Sequence, residues 1–228
     1  TRGWAAMYYL IYLHCIRGGE PAQTDVTPLM AELYRTLPET CRKLLWYLSA
    51  AVDFTDEDAA LLWGSRDGIA LVRQLRSEGA PLRKTEQGWS LHPAFARYVR
   101  QQVSGLNEAN QASISRRLGR WHQGRGAFGE ALACFEAAGD WEQALVLLEE
   151  DAGSSMSWSF AELTTRLMLR CPREVLSRHP LVQFYCARQA ATLGSPDLLQ
   201  RWRPSDPAQA ALVDALAAYP DLEQLTRH

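Results

Sequence analysis

A histidine at a predicted strand-to-helix junction is the residue best placed to bind an anion. His92 follows Trp89 and Leu91, which alternate with polar neighbours as one face of a short strand does, and it precedes Pro93. Proline suits the first helical position, where unpaired backbone N–H groups and the positive end of the helix dipole meet. The imidazole could therefore help to hold a phosphate. A histidine that only caps its helix explains the same pattern, and the spacing alone favours this simpler interpretation.

A group of basic residues surrounds this junction. Residues 65–125 contain 11 Lys and Arg against 4 Asp and Glu, whereas the rest of the chain is acidic. Such a surface could bind nucleic acid, be solvated, or dock a neighbouring domain, and the helix before the hairpin lacks the density of base-reading side chains that sequence recognition prefers. The candidate nucleic-acid-binding residues are Arg73, Arg76, Arg83, Lys84, Arg97 and Arg100.

Nothing else in the sequence indicates catalysis or a metal site. Asp56-Glu57-Asp58 is best explained as the acidic first turn of a helix, which the dipole favours. Phosphate-loop, nucleophile-elbow, zinc-protease and dinucleotide motifs are absent from the sequence. We therefore expect no enzyme and no cofactor held by this chain alone. The helical part of the sequence contains tryptophans at helical spacing, namely Trp121, Trp141 and Trp158. They indicate core packing, and a ligand cage is the alternative.

Five widely spaced cysteines without a C-x-x-C pair indicate buried thiols in a reducing, cytoplasmic environment. The apolar run from Trp4 to Leu13 is too short to span a membrane and predicts a buried helix. The chain starts without methionine just before this run, so we expect a piece of a longer protein.

The elements around His92 predict a winged helix. A helix starts at Thr27-Pro28, and three more follow, over Glu39 to Ala50, after the capping pair Thr55 and Asp58, and from Ser65 to Gly79. Two short strands, Pro81–Thr85 and Trp89–His92, then form a hairpin. A helix from Pro93 to about Gly105 packs behind it.

The remainder predicts paired helical repeats. Helices are marked by Ile114 to His122, Phe128 to Phe135 and Trp141 to Leu148, with breaks at Gly126 and Gly139. Further helices are expected over Trp158–Leu169, Pro180–Leu193, Asp197–Trp202 and Asp206–Tyr219. The predicted fold class is mainly α, a winged-helix domain followed by TPR-like repeats. The predicted domains are residues 1–19, 20–105 and 106–228.

Several short motifs, taken in order, resemble MalT-like regulators, the LuxR-type members of the signal-transduction ATPases. Thr1-Arg2-Gly3-Trp4 resembles the end of their nucleotide-binding module, and Trp89-x-Leu91-His92-Pro93 resembles their winged helix. Trp121-His122 with Ala138-Gly139-Asp140-Trp141 resembles the start of their repeat sensor. Essentially the whole chain is covered.

The resemblance implies a parent protein that binds ATP and hydrolyses it slowly, senses an inducer, oligomerises and activates transcription through a C-terminal helix-turn-helix. It also implies that His92 contacts the phosphate of bound ADP in the intact parent. The chain lacks the phosphate loop, the acidic strand that binds magnesium and the helix-turn-helix, so those activities do not transfer to it.

Two functions of different classes follow. The first is a regulatory module that couples nucleotide state to inducer or partner sensing, with the missing nucleotide-binding and DNA-binding domains as partners, self-association possible and no membrane. The alternative is a free-standing winged-helix nucleic-acid-binding protein with a helical protein-docking tail. Salt-dependent DNA binding separates them, since only the second requires it.

Overall fold

A computed structural model describes residues 27–151, 169–192, 194–204 and 206–218. The chain divides into two compact units, Thr1–Arg125 and Gly126–His228. The helix expected near the amino terminus lies outside the described residues, and so does the predicted helix from Trp158, apart from Leu169. The three domain ranges given above stay predictions.

The first unit contains six helices and one hairpin within its described residues. In chain order they are α1 (Thr27–Thr36), α2 (Glu39–Leu48), α3 (Asp56–Trp63), α4 (Asp67–Ser77), β1 (Leu82–Thr85), β2 (Gly88–Leu91), α5 (Pro93–Ser104) and α6 (Glu108–Gly124). Helices α2, α3 and α4 pack against one another, and α5 packs on α1 and α2. Helix α6 packs on α2 and α3.

The core of this unit comes from the apolar stripes that the sequence predicts. On α2, Cys41, Leu44, Leu45 and Leu48 are fully buried. The predicted capping box at the start of α3 is confirmed, because Thr55 and Asp58 exchange side-chain-to-backbone hydrogen bonds. Gly64 ends α3 in the left-handed conformation.

The hairpin is antiparallel, and a two-residue turn at Glu86-Gln87 joins its strands. A third segment, which the sequence analysis missed, pairs with it at one point: Phe54 and Trp89 exchange both backbone hydrogen bonds at 2.8 Å. Gly88 makes this close pairing possible, since it has φ +140° and an added Cβ would lie 2.4 Å from the Phe54 oxygen. The wing is therefore anchored on the loop between α2 and α3.

All regular elements in the described part of the second unit are helices. They are α7 (Phe128–Ala137), α8 (Trp141–Asp151), α9 (Arg173–Leu176), α10 (Pro180–Thr192), α11 (Pro196–Trp202) and α12 (Pro207–Ala218). Ala131 and Ala144 are fully buried where α7 meets α8, as expected for a helix pair in which small residues permit close approach. Helix α9 was not predicted, because four residues are too few to show a helical period.

These elements confirm the predicted fold class, a winged helix followed by helical repeats. Within the described ranges, no helix has both the length and the apolar character needed to cross a membrane.

Candidate functional site

His92 is the N-cap of α5. Its Nδ1 accepts a hydrogen bond from the Ala94 N–H at 3.3 Å, and Pro93 occupies the first helical turn. Its own backbone N–H donates to the Pro81 oxygen at 2.9 Å. An accepting Nδ1 leaves the proton of the neutral ring on Nε2. The cap therefore fixes the imidazole at the positive end of α5 with a donor nitrogen opposite the helix.

Two features disfavour the charged form of this imidazole. Burial lowers the pKa of His92, and the positive charge of Arg83 on β1 lowers it further. Arg83 itself is exposed. An imidazole donor at a helix N-terminus, within electrostatic reach of an exposed guanidinium, suits an oxyanion.

The structure divides the six predicted basic residues into four groups. Arg100 is a structural residue, because its guanidinium donates to the Ser49 oxygen at 2.5 Å. Arg83 is paired with Ser90 across the hairpin, and its positive charge lowers the pKa of His92. Arg73, Arg76 and Lys84 lie on α4 and on the other face of the hairpin, and Arg97 is exposed on α5.

Arg76 joins α4 to the hairpin. Its guanidinium carbon lies 4.2 Å from the centroid of the Trp89 ring, which is a close cation–π contact. Lys84 is paired directly across the hairpin from Trp89, so the two side chains lie on the same face. The aromatic side chain thus has an arginine over its ring and a lysine at the paired position of the neighbouring strand.

Asp58 has a role that its acidic first-turn position did not predict. Besides closing the capping box, its carboxylate accepts from Trp121 Nε1 at 2.7 Å and pairs with Arg125 at 3.1 Å. Burial works to raise the pKa of Asp58, but the hydrogen bonds from Thr55 and Trp121 and the Arg125 charge outweigh it and lower the pKa. A buried aspartate therefore attaches α6 to the winged helix.

The opposite end of α3 is bound by the same face of α6. Arg117 donates to the oxygens of Leu62 and Trp63 at 3.1 and 2.5 Å, which satisfies carbonyls at the helix end. Arg117, Trp121 and Arg125 are spaced four residues apart and so lie along one side of α6. Since Arg117 contacts the end of α3 and the later residue Trp121 contacts its start at Asp58, the two helices run antiparallel. The spacing was visible in the sequence, but its partners lie more than 50 residues away.

The predicted tryptophans follow the packing interpretation where they are described. Trp121 is buried and bonded to Asp58, and Trp141 packs against both apolar clusters of the second unit. Trp158 lies outside the described residues.

A polar cluster in the second unit was missed. Buried His179 has Nδ1 3.0 Å from a Glu149 oxygen and Nε2 3.3 Å from a Glu142 oxygen. Arg178 also pairs with Glu142, at 3.0 Å. The cluster ties α8 to the start of α10, and no local spacing could reveal it. Among the described residues, no group of three His, Cys, Asp or Glu side chains is arranged to hold a metal ion.

The helix order, the hairpin and the Phe54 bridge define a winged-helix domain. Residues 30–112 match the family model of the MalT winged helix domain. This part of the chain is therefore similar to the winged helix domain of MalT.

The chain is also similar to the serine/threonine-protein kinases PknK of Mycobacterium tuberculosis and Mycobacterium bovis. Each is 28% identical over 164 residues, which cover 66% of this chain and 15% of the relative. The chain thus corresponds to a small part of these curated relatives. No solved structure matches it.

Proposed function

We propose that the chain is a regulatory module of a larger MalT-like, ATP-dependent transcriptional regulator. In this proposal the first unit responds to nucleotide state through the winged helix, and the helical repeats recognise an inducer or a protein partner. In this proposal the intact regulator binds ATP or ADP, works in the cytoplasm and reaches DNA through a separate domain. The chain itself carries out no reaction.

The observation that supports the nucleotide link is the geometry of His92. The imidazole is fixed by its Nδ1 at the start of α5, with Arg83 near enough to lower its pKa. A phosphate placed there would meet the Nε2–H, a guanidinium and the positive end of a helix dipole. These donors are pre-oriented by the fold, so binding would cost little side-chain ordering.

The link to sensing rests on α6. Its contacts with both ends of α3 make it part of the winged-helix unit, although the chain continues from it directly into the first repeat helix. We propose that movement of the winged helix when nucleotide is exchanged carries α6 with it. The repeats would then report inducer binding through the same helix in reverse, because coupling between two sites is reciprocal.

The experiment separates the capping role of His92 from phosphate binding. His92→Ala removes both the cap and the imidazole, whereas His92→Ser retains a capping oxygen and removes only the ring. In the intact regulator we expect both variants to weaken ADP binding and to raise basal transcription in a reporter assay. Only His92→Ala should also lower stability, by about 1 kcal/mol.

The outcomes are distinct. If His92→Ser binds ADP as the natural protein does and leaves basal transcription unchanged, His92 is only a cap and the nucleotide link is wrong. The matched control is Arg97→Gln, since Arg97 is an exposed residue on the same helix with no part in the cap.

A further inference from the structure

We propose that one face of the winged helix binds the sugar-phosphate backbone of nucleic acid without reading the base sequence. This backbone-binding face consists of Arg66 just before α4, Arg73 and Arg76 on α4, and Lys84 on β1. It lies on the opposite face of the hairpin from Arg83, which acts on His92. The inference is independent of the proposed nucleotide coupling.

The cations of this face are available to a ligand. In the part of the chain that the structure describes, the side chains of Arg66, Arg73 and Lys84 are exposed and form no hydrogen bond or ion pair. Other basic side chains of this unit are engaged: Arg35 and Lys43 pair with glutamates, and Arg117 binds backbone carbonyls. Arg66, Arg73 and Lys84 are therefore open to an external anion.

The cations share one side of the winged helix. Arg66 and Arg73 are seven residues apart, which places them almost in line two turns apart along α4. Arg76 is turned from them toward the hairpin, where it contacts Trp89, and Lys84 is paired across from that ring. The positive charge therefore continues from the helix onto the wing, which are the two elements that a winged helix presents to a duplex.

The junction of helix and wing is pre-organised. Trp89 cannot shift easily, because its backbone is held on one side by β1 and on the other by Phe54. Arg76 lies on this fixed ring, so its planar guanidinium is already ordered for paired hydrogen bonds to a phosphate. Ordering an arginine in the free protein lowers the entropic cost of the contact.

The composition of the face favours phosphates over base edges. Asn and exposed Gln, the residues that read adenine, are missing from α4, since its glutamine, Gln74, is half-buried. The Asp67 carboxylate accepts a hydrogen bond from the Ser65 hydroxyl at 3.0 Å. Glu78 and Glu86 are exposed at the end of α4 and in the hairpin turn, where they limit the positive potential. We therefore expect weak, salt-sensitive and sequence-independent binding.

The test is titration of fluorescein-labelled DNA duplexes of two unrelated sequences with the 228-residue chain, followed by anisotropy. At about 0.01 M salt both duplexes should bind with equal affinity, and binding should weaken steeply toward about 0.15 M. The double variant Arg73→Gln/Lys84→Gln should bind at least about tenfold more weakly. It should also reduce the slope of log affinity against log salt by about 2.

The control variant is Arg35→Gln/Lys43→Gln, which removes the same charge from exposed residues of the same unit. It should bind as the natural chain does, and circular dichroism should show both variants folded. Four results would each overturn the proposal: no binding at low salt, equal loss in the control, discrimination between the two duplexes, or tighter binding of polyglutamate than of DNA. The last would instead indicate an acidic protein partner.

Discussion

At the scale of single residues, Asp58 shows how one side chain comes to serve two levels of structure. Its capping box is local and depends only on Thr55 three residues earlier. Its contacts with Trp121 and Arg125 span more than 60 residues and hold α6 on the winged helix. A buried carboxylate depends on the hydrogen-bond donors around it. Those donors depend on the carboxylate in turn, because removing its charge leaves them unpaired.

Replacing Asp58 with Asn should therefore lower the free energy of unfolding by about 1.5–3 kcal/mol. The lowered pKa means that the charged form stabilises the fold fully above the unfolded value of about 3.9. That contribution disappears as the pH falls through the lower, folded value. Urea unfolding of both proteins between pH 7 and pH 3 should show the difference shrinking at the acid end.

The control for this prediction is Glu57→Gln on the same helix turn. Glu57 is exposed, so its loss should cost only the helix-dipole contribution, below about 1 kcal/mol. A cost at Asp58 no larger than the cost at Glu57 would contradict the role assigned to Asp58.

At the scale of elements, the packing of α3 against α4 depends on a residue without a side chain. An added Cβ at Gly68 would lie 2.3 Å from the backbone oxygen of Ala59. Backbone atoms cannot move away as a flexible side chain can, so the two helices would have to separate. The sequence placed Gly68 inside a helical segment, but propensity alone describes such a glycine as a weakness.

Gly68→Ala should therefore destabilise the first unit by about 1–3 kcal/mol, although alanine is the better helix former. Gly124→Ala is the matched control, because Gly124 is helical in the same unit and nothing lies within 4 Å of its added Cβ. That variant should be neutral or up to about 1 kcal/mol more stable. If chemical unfolding gives the two variants equal stability, the close contact at Gly68 does not determine the stability of the unit.

At the scale of the whole molecule, each unit has its own buried core, and the thiols report on these cores. Cys41 is buried on α2, while Cys171 and Cys186 are buried in the apolar cluster of the second unit. Burial raises the pKa of Cys171 to about 11 and also raises that of Cys186. These cysteines are part of the packing and are not reactive nucleophiles.

Under native conditions at pH 8, iodoacetamide should modify Cys171 about 100-fold more slowly than an unperturbed thiol, since its pKa is raised from 9.0 to about 11. Cys186 should be at least as protected because it is completely buried. Tryptic peptides analysed by mass spectrometry at increasing times give both rates. The denatured chain is the reference, and equal rates in native and denatured protein would contradict the packing described.

The sequence by itself determined the local features of this protein. The apolar stripe of α2, the capping box of α3, the hairpin and the proline-led start of α5 at His92 each depend on residues a few positions apart, and all are present. The winged helix and the helical repeats after it followed from their order. Local hydrogen bonding and burial period are sufficient for such predictions.

Only the tertiary structure decided which side chains meet across long separations. It divided one basic cluster into a structural Arg100, an Arg83 that acts on His92, and a separate face on α4 and the hairpin. It also brought Trp121 to Asp58 and His179 between two glutamates. The physical reason is that a charge is assigned its role by its nearest partner in space, and helix packing, not sequence spacing, sets that distance.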